Sequence, residues 1–312
     1  IPYNEAMERY GSDKPDLRID LEIQDISGIV QGCGFGPFEN ATVKAVAVDN
    51  FTQARKWIDK LLADVEVQTG NKACWFKVDE NGALTGGISK FLGDCAPALT
   101  EKLNLKPGSF VCMAAGKKSA AQKTAGVVRT LLGRRVPGHF DEEQYAICWI
   151  VDFPMYEIGE ESGALEFCHN PFSMPQGGLK ALEEAEGNME KLLAIKANQY
   201  DLVVNGYESA SGAVRNHDPE IMVKAFELVG LGEADVKAKF PAMYNAFTYG
   251  APPHAGAAPG IDRLIMLLTG EESIREVITF PMNKNAQDLM MGAPTTVDKA
   301  QLDTVHIALL EE

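Results

Sequence analysis

The sequence contains no CxxC pair and no cluster of cysteine with histidine. Its six cysteines stand apart at positions 33, 74, 95, 112, 148 and 168. That spacing excludes the usual zinc frameworks and reads as reduced, mostly buried thiols of a cytosolic protein. No apolar run reaches transmembrane length, and the N-terminus carries no charged, apolar and cleavage-site order. A soluble cytoplasmic protein without a membrane partner is therefore expected. Basic charge is scarce as well: 29 Lys and Arg against 44 Asp and Glu give a net charge of −15. Whole-protein attraction to nucleic acid is excluded on that balance, although a few cations in one place suffice for an RNA contact. Nucleophilic chemistry has no signature either, since no Ser-His-Asp order or nucleophile elbow occurs. Two short runs imitate nucleotide motifs and fail. GCGFG (Gly32–Gly36) lacks the third glycine and opens no helix, and Gly116-Lys117-Lys118-Ser119 has no glycine five residues earlier.

What remains is an ordinary globular composition, 46% hydrophobic and 23% charged, in 312 residues, which suits two units. The chain opens on Ile1 rather than Met, on text that looks like mid-protein sequence, so a fragment is expected. A short helix is predicted over Tyr3–Tyr10, followed by an Asp/Pro loop. Between 27 and 135 the texture interleaves strands (41–48, 73–78, 110–114) with helices (51–62 and 120–132, the latter ending near Gly133). Asn81-Gly82 there is a strong hairpin dipeptide. From 136 onward, strands are predicted at 146–153, 165–169 and 202–208, and helices at 188–199 and 219–229.

Three stretches could carry chemistry. Gly250–Leu268, GAPPHAGAAPGIDRLIMLL, begins as a Pro/Gly loop and becomes a helix with Ile261, Leu264, Ile265 and Leu268 on one buried stripe. Pro259 suits its first turn, and Asp262 suits the positive end of the helix dipole. Arg263 does not, at a cost of about 0.3–1 kcal/mol, which points to an anionic ligand. By pattern alone, a capping loop with a snorkelling arginine fits equally well. Tyr200–His217, YDLVVNGYESASGAVRNH, brings Asp201 and Glu208 together on a strand, and a Gly/Ser-rich turn then delivers Arg215. Carboxylates at a glycine-rich bend suit a magnesium–phosphate site, and an arginine fork suits a carboxylate. Seven residues apart, the two acids fall on opposite faces of a regular strand unless a bulge near Asn205-Gly206 intervenes; surface charges at a hairpin are the plainer alternative. Third, CHNPFSMP (Cys168–Pro175) places His169 after a strand and before a braced turn, where a histidine is more often structural.

The last third of the chain closely resembles motif 3 of class II aminoacyl-tRNA synthetases of the bacterial aspartyl type, through G-I-D-R at Gly260–Arg263 and on through ESIREVITFPMNKNAQDLMMGAPTTV (Glu272–Val297). YGSDKPDLR near the start resembles the same family's core. The resemblance implies an α+β fold: residues 1–26 as a segment of the antiparallel-sheet catalytic core, 27–135 as a GAD-type insertion, and 136–312 as the core with motif 3. It implies ATP-dependent activation of L-aspartate and its transfer to tRNA-Asp. The wording ESASGAVRNH and HAGAAPGIDR is similar to the α-proteobacterial branch, which implies tRNA-Asn as a further substrate. It also implies Mg2+ held by Glu208 with help from Asp201, and ATP bound by Glu208, Gly260, Ile261, Asp262 and Arg263. Aspartate would be read by Arg215 and His169, with Arg215, Arg263 and Glu208 catalytic and His254 ordering the motif 3 loop. A homodimer is implied for the longer enzyme. The anticodon-binding domain and motifs 1 and 2 of the family have no counterpart here, so the 312 residues alone are expected to be inactive.

Overall fold

The computed structural model describes residues 1–159 and 161–310. Two compact units result, Ile1–Pro259 and Gly260–Glu312. The first is built on two larger antiparallel sheets. Among the described residues, no helix is long and apolar enough to cross a membrane.

Helix α1 (Tyr3–Tyr10) opens the chain and ends at Gly11 in the left-handed region. Strands β1 (Gln24–Asp25), β2 (Thr42–Val48), β3 (Ala73–Val78), β4 (Leu84–Thr85) and β5 (Phe110–Gly116) form a sheet in the order β1-β2-β5-β3-β4. The Asn81-Gly82 hairpin joins β3 to β4 as its sequence predicts. Alternation along β5 feeds two cores. Phe110, Cys112 and Ala114 face one side with α3 (Arg55–Thr69) and α5 (Lys118–Arg135), while Val111 and Met113 face the other with α2 (Ser27–Val30) and α4 (Ala96–Leu103). Ile19, Leu21 and Ile23 also pack into the first core. Helix α3 starts at Arg55 rather than 51, because Phe51 leaves the helix to stack on Phe110 at 4.2 Å.

Helix α5 runs through Gly133 instead of ending there, and the reason lies on one of its faces. Gln122, Gly126, Arg129 and Gly133 recur at helical spacing, and each meets residues 8–21. Gln122 donates to Glu8 at 2.9 Å. Gly126 packs backbone to backbone on Gly11, where an added Cβ would lie 2.7 Å from the Gly11 carbonyl oxygen. The Arg129 guanidinium, fully buried, donates to the carbonyls of Leu21, Asp16 and Ile19 at 2.6, 3.1 and 2.8 Å. Gly133 leaves room for Ile19, whose Cγ2 would lie 2.4 Å from a Cβ there. Both glycines are sockets, not helix terminators.

The second sheet has the order β11-β10-β9-β6, made from β6 (Ile147–Val151), β9 (Gln199–Val204), β10 (Tyr207–Val214) and β11 (Ala255–Pro259). Helix α1 covers part of one face with Ala6 and Tyr10, against Ile150, Phe153 and Val203. A hairpin, β7 (Tyr156–Ile158) with β8 (Leu165–Phe167), packs with α6 (Gly178–Ala185), α7 (Met189–Ala194) and α8 (Pro219–Glu227). Helices α9 (Glu233–Lys239) and α10 (Pro241–Thr248) complete the unit. Two expectations change here. The stretch predicted as a helix to 199 ends at Ala194, since Gln199 already pairs in β9. Pro259 closes strand β11 rather than opening a helix, since Ala255–Pro259 pairs with Ala210–Val214.

The second unit opens with α11 (Ile261–Thr269), capped at its C-terminus by left-handed Gly270. Its predicted stripe is not buried: Ile261, Ile265 and Leu268 stay exposed and Met266 is the buried residue. The short 3₁₀ turn and the α12 helix (Lys299–Thr304) that follow bring no buried residue of their own.

The socket can be tested. Gly126→Ala gains about 1 kcal/mol of helix propensity but overpacks against backbone, for a net loss of roughly 1–3 kcal/mol in urea unfolding. Gly28→Ala, where an added Cβ meets nothing within 4 Å, is expected to lose nothing.

Candidate active site

The site is assembled on β9 and β10. Asn205 and Gly206 have φ of 52° and 85°, a pair of left-handed residues that closes a tight hairpin. Residues 202–208 are therefore two strands and a turn, not the single strand expected, and the Gly/Ser-rich stretch is strand β10 rather than a turn. A bulge is present, but beyond the turn. Glu208 pairs with Val203 and Ala210 with Leu202, so Ser209 is the extra residue. Cross-strand partners share a face, and Val203 and Asp201 share one along β9. Glu208 and Asp201 thus come to the same side of the sheet. Ser211 lies directly opposite Asp201, and the two-residue period from Ser211 through Ala213 carries Arg215 to that side as well.

Asp201 is 4% exposed, and its Oδ1 has no hydrogen-bond partner among the described residues. Burial raises its pKa above the ordinary 3.8, with the Glu208 charge adding to the rise and the Ser211 hydroxyl, Lys14 and His169 opposing it. Lys14, from the loop after α1, reaches Glu208 at 3.5 Å and Asp13 at 2.8 Å. The Arg215 backbone N–H donates to the His254 carbonyl at 2.9 Å, which ties β10 to the strand after His254. Its half-buried guanidinium pairs with no carboxylate among the described residues.

His169 follows β8 and sets its ring edge against Phe153 at 4.8 Å and Tyr3 at 5.9 Å. Its loop is held by Asn170. The Asn170 Oδ1 accepts from the Phe172 N–H and the Ser173 hydroxyl, both at 3.0 Å, while its amide donates to buried Gln199 at 3.2 Å. Asp201, Glu208, Arg215 and His169 are all carried by the first unit. Gly260, the N-cap of α11, and Ile261, Asp262 and Arg263, its first turn, belong to the second. Lys14 and Asn170 were not singled out from sequence. Asn170 was findable, because asparagine before Pro-Phe commonly folds back on the amide two residues on. Lys14 was not, since nothing local relates it to Glu208.

Two carboxylates do not make a protein cage for a cation. No group of three or more His, Cys, Asp or Glu stands together among the described residues. Two acids, one of them with an unpartnered buried oxygen, do fit Mg2+ bound through substrate phosphates, which takes one or two carboxylates. The oxygen is costly without a ligand. Because the folded pKa is raised, the penalty is absent below the unfolded value and full above the folded one. Asp201→Asn is expected to raise Tm at pH 7, with the gain vanishing as pH falls below about 3.8. A Tm that drops equally at both pH values would make Asp201 a structural partner.

The family model for class II tRNA synthetases (D, K and N) matches residues 1–284. The chain is 49% identical over 99% of its length to an aspartate–tRNA ligase of Streptomyces coelicolor, and 46% identical over all of it to an aspartate–tRNA(Asp/Asn) ligase of Novosphingobium aromaticivorans. It covers 52% and 53% of those proteins, so it spans about half the length of the curated relatives it matches. An aspartyl tRNA synthetase structure from Entamoeba histolytica aligns over 79% of this chain and 44% of its own, at 15% identity and a TM-score of 0.33, too loose to add weight. On the extent of the family match and the identity to these relatives, the chain belongs to the class II tRNA synthetases of the D, K and N group.

Proposed function

We propose that these residues form the aspartate-reading half of an ATP-dependent aspartate–tRNA ligase. The observation that carries the reading is an Arg215 guanidinium, just after β10, that pairs with no carboxylate among the described residues, beside the strands that hold Asp201 and Glu208. Within the D, K and N group, a cation at this place suits an acid and repels a lysine side chain, and an amide gives it no opposite charge. Arg215 would take the side-chain carboxylate of aspartate in a bidentate pair, with His169 at its edge. Glu208 and Asp201 would hold Mg2+, whose charge offsets that of the triphosphate. Lys14 would keep Glu208 neutralised until then. Gly260, Ile261, Asp262 and Arg263 would meet ATP, with Arg263 against its phosphates.

The α-carboxylate oxygen of aspartate attacks the α-phosphorus and pyrophosphate leaves, giving aspartyl-adenylate. The terminal ribose hydroxyl of the tRNA then attacks the aspartyl carbonyl, loses its proton, and AMP leaves. Neither step needs a nucleophile from the protein. Alignment and charge stabilisation supply the rate. The RNA is tRNA-Asp, and tRNA-Asn as well on the likeness to the relatives named for both.

The test uses a ligase of full family length containing these residues. Arg215→Leu is expected to raise the aspartate requirement in pyrophosphate exchange by roughly 30- to 5,000-fold, the equivalent of about 2–5 kcal/mol, and the ATP requirement far less. Equal shifts in both would make Arg215 structural. Exchange supported by asparagine or lysine in preference to aspartate would overturn the assignment, and failure to aspartylate tRNA-Asn would remove the second RNA.

A further inference from the structure

The cavity that Arg215 lines is mostly apolar. It has a volume of about 470 Å³, Phe172, Met243 and Phe247 form much of its wall, and no acid is among its lining residues. Helix α10 supplies Met243 and Phe247 from one face, four residues apart. Rings hold that helix in place: Phe240, at its N-cap, lies 5.2 Å from Phe172 and 5.7 Å from Phe226 on α8. Two backbone bonds fix the arginine against this wall. The Asn216 N–H donates to the Phe172 carbonyl at 2.8 Å, and the Arg215 N–H donates to the His254 carbonyl at 2.9 Å. Asn216 also lines the cavity. It is 2% exposed, and neither its Oδ1 nor its Nδ2 has a hydrogen-bond partner among the described residues. A cation surrounded by rings and a thioether is poorly hydrated on that side. Low-dielectric walls screen its attraction for an anion less than open water does. The same walls make a neutral guest costly, since an amide leaves the charge with neither water nor counter-ion.

We propose that Phe172, Met243 and Phe247 are specificity-determining residues of the amino-acid site, which exclude water from the pair between Arg215 and the side-chain carboxylate of aspartate. Arg215 sets the sign of the preference, and the α10 wall sets its size. Asn216 adds an unspent donor at the same place. The proposal rests on the ligase reading and deepens it, because an arginine pair in open water is weak and separates acid from amide poorly.

Pyrophosphate exchange is followed in a ligase of full family length containing these residues, with aspartate and ATP varied separately and asparagine added as a competitor. As water enters the pair, Phe247→Ala is expected to raise the aspartate KM roughly tenfold and the ATP KM less than about twofold. Its aspartate KM should also climb with salt, between about 50 and 300 mM, more steeply than that of the unaltered enzyme, an effect that lost packing elsewhere does not produce. The ratio of the asparagine inhibition constant to the aspartate KM should fall. Met243→Ala should give the same signs, and Phe247→Leu, which keeps an apolar wall, should stay within about threefold of the parent. Tyr249→Ala, at a side chain 92% exposed just past α10, should change none of these. If Arg215→Leu raises the aspartate KM while Phe247→Ala and Met243→Ala leave it and its salt dependence unchanged, the wall has no such role and the ligase reading stands. If Arg215→Leu also leaves it unchanged, the ligase reading has failed and the wall with it. Equal rises in the aspartate and ATP KM in both alanine variants, or an equal loss in Tyr249→Ala, would likewise overturn the proposal.

Discussion

The buried guanidinium of Arg129 holds the 16–21 segment, against which the β9–β10 turn of the candidate site packs. A buried arginine with no carboxylate hydrogen-bonded to it among the described residues is offset by the carbonyls of Asp16, Ile19 and Leu21, which accept its hydrogen bonds. Removing it would leave those buried carbonyls short of a partner, at about 1–3 kcal/mol apiece. The segment it fixes includes Asp16, against which Gly206 packs so closely that an added Cβ would lie 3.1 Å from the Asp16 Cβ. Gly206 is the turn that sends β10 back along β9. A contact on α5 thus determines where Glu208 begins its strand, and Lys14, in the same loop, is set against that carboxylate.

The sheet face of the candidate site carries features that cost stability. Asp201 is buried without a full set of partners, and the Ser209 bulge interrupts the ladder to turn Glu208 toward it. Arg215 pairs with no carboxylate among the described residues. The buried, incompletely partnered Asp201 oxygen costs the chain stability. Local rules broken together on one face mark it as the candidate site.

Much of this was legible in the sequence, and the failures have physical causes. Strands 41–48, 73–78 and 110–114 announced themselves by β-branched content and alternation, and Asp201, Glu208, Arg215 and His169 were singled out as candidates by their motifs. Asn205-Gly206 was read as the place for a bulge although the dipeptide is a hairpin signal. The seven-residue span of apolar and polar residues hid two strands of opposite direction. Gly133 was read as a helix end because a glycine's usual meaning is local, whereas its reason is the Ile19 side chain more than a hundred residues away. Pro259 suits a helix start as well as a strand edge, and only pairing with β10 decides. Lys14 and Arg129 act through tertiary contacts alone and leave no trace in spacing.

The dependence of the site on α5 is open to a direct measurement, native-state hydrogen exchange on the chain with Arg129→Leu. If the guanidinium fixes the 16–21 segment and, through Gly206, the β9–β10 hairpin, exchange should quicken together at Ile19, Ile23 and the amides of Tyr207 to Ser211. The β3 and β5 amides, held by their own ladder, should stay protected. Faster exchange confined to residues 19–23, with the hairpin unchanged, would contradict the account.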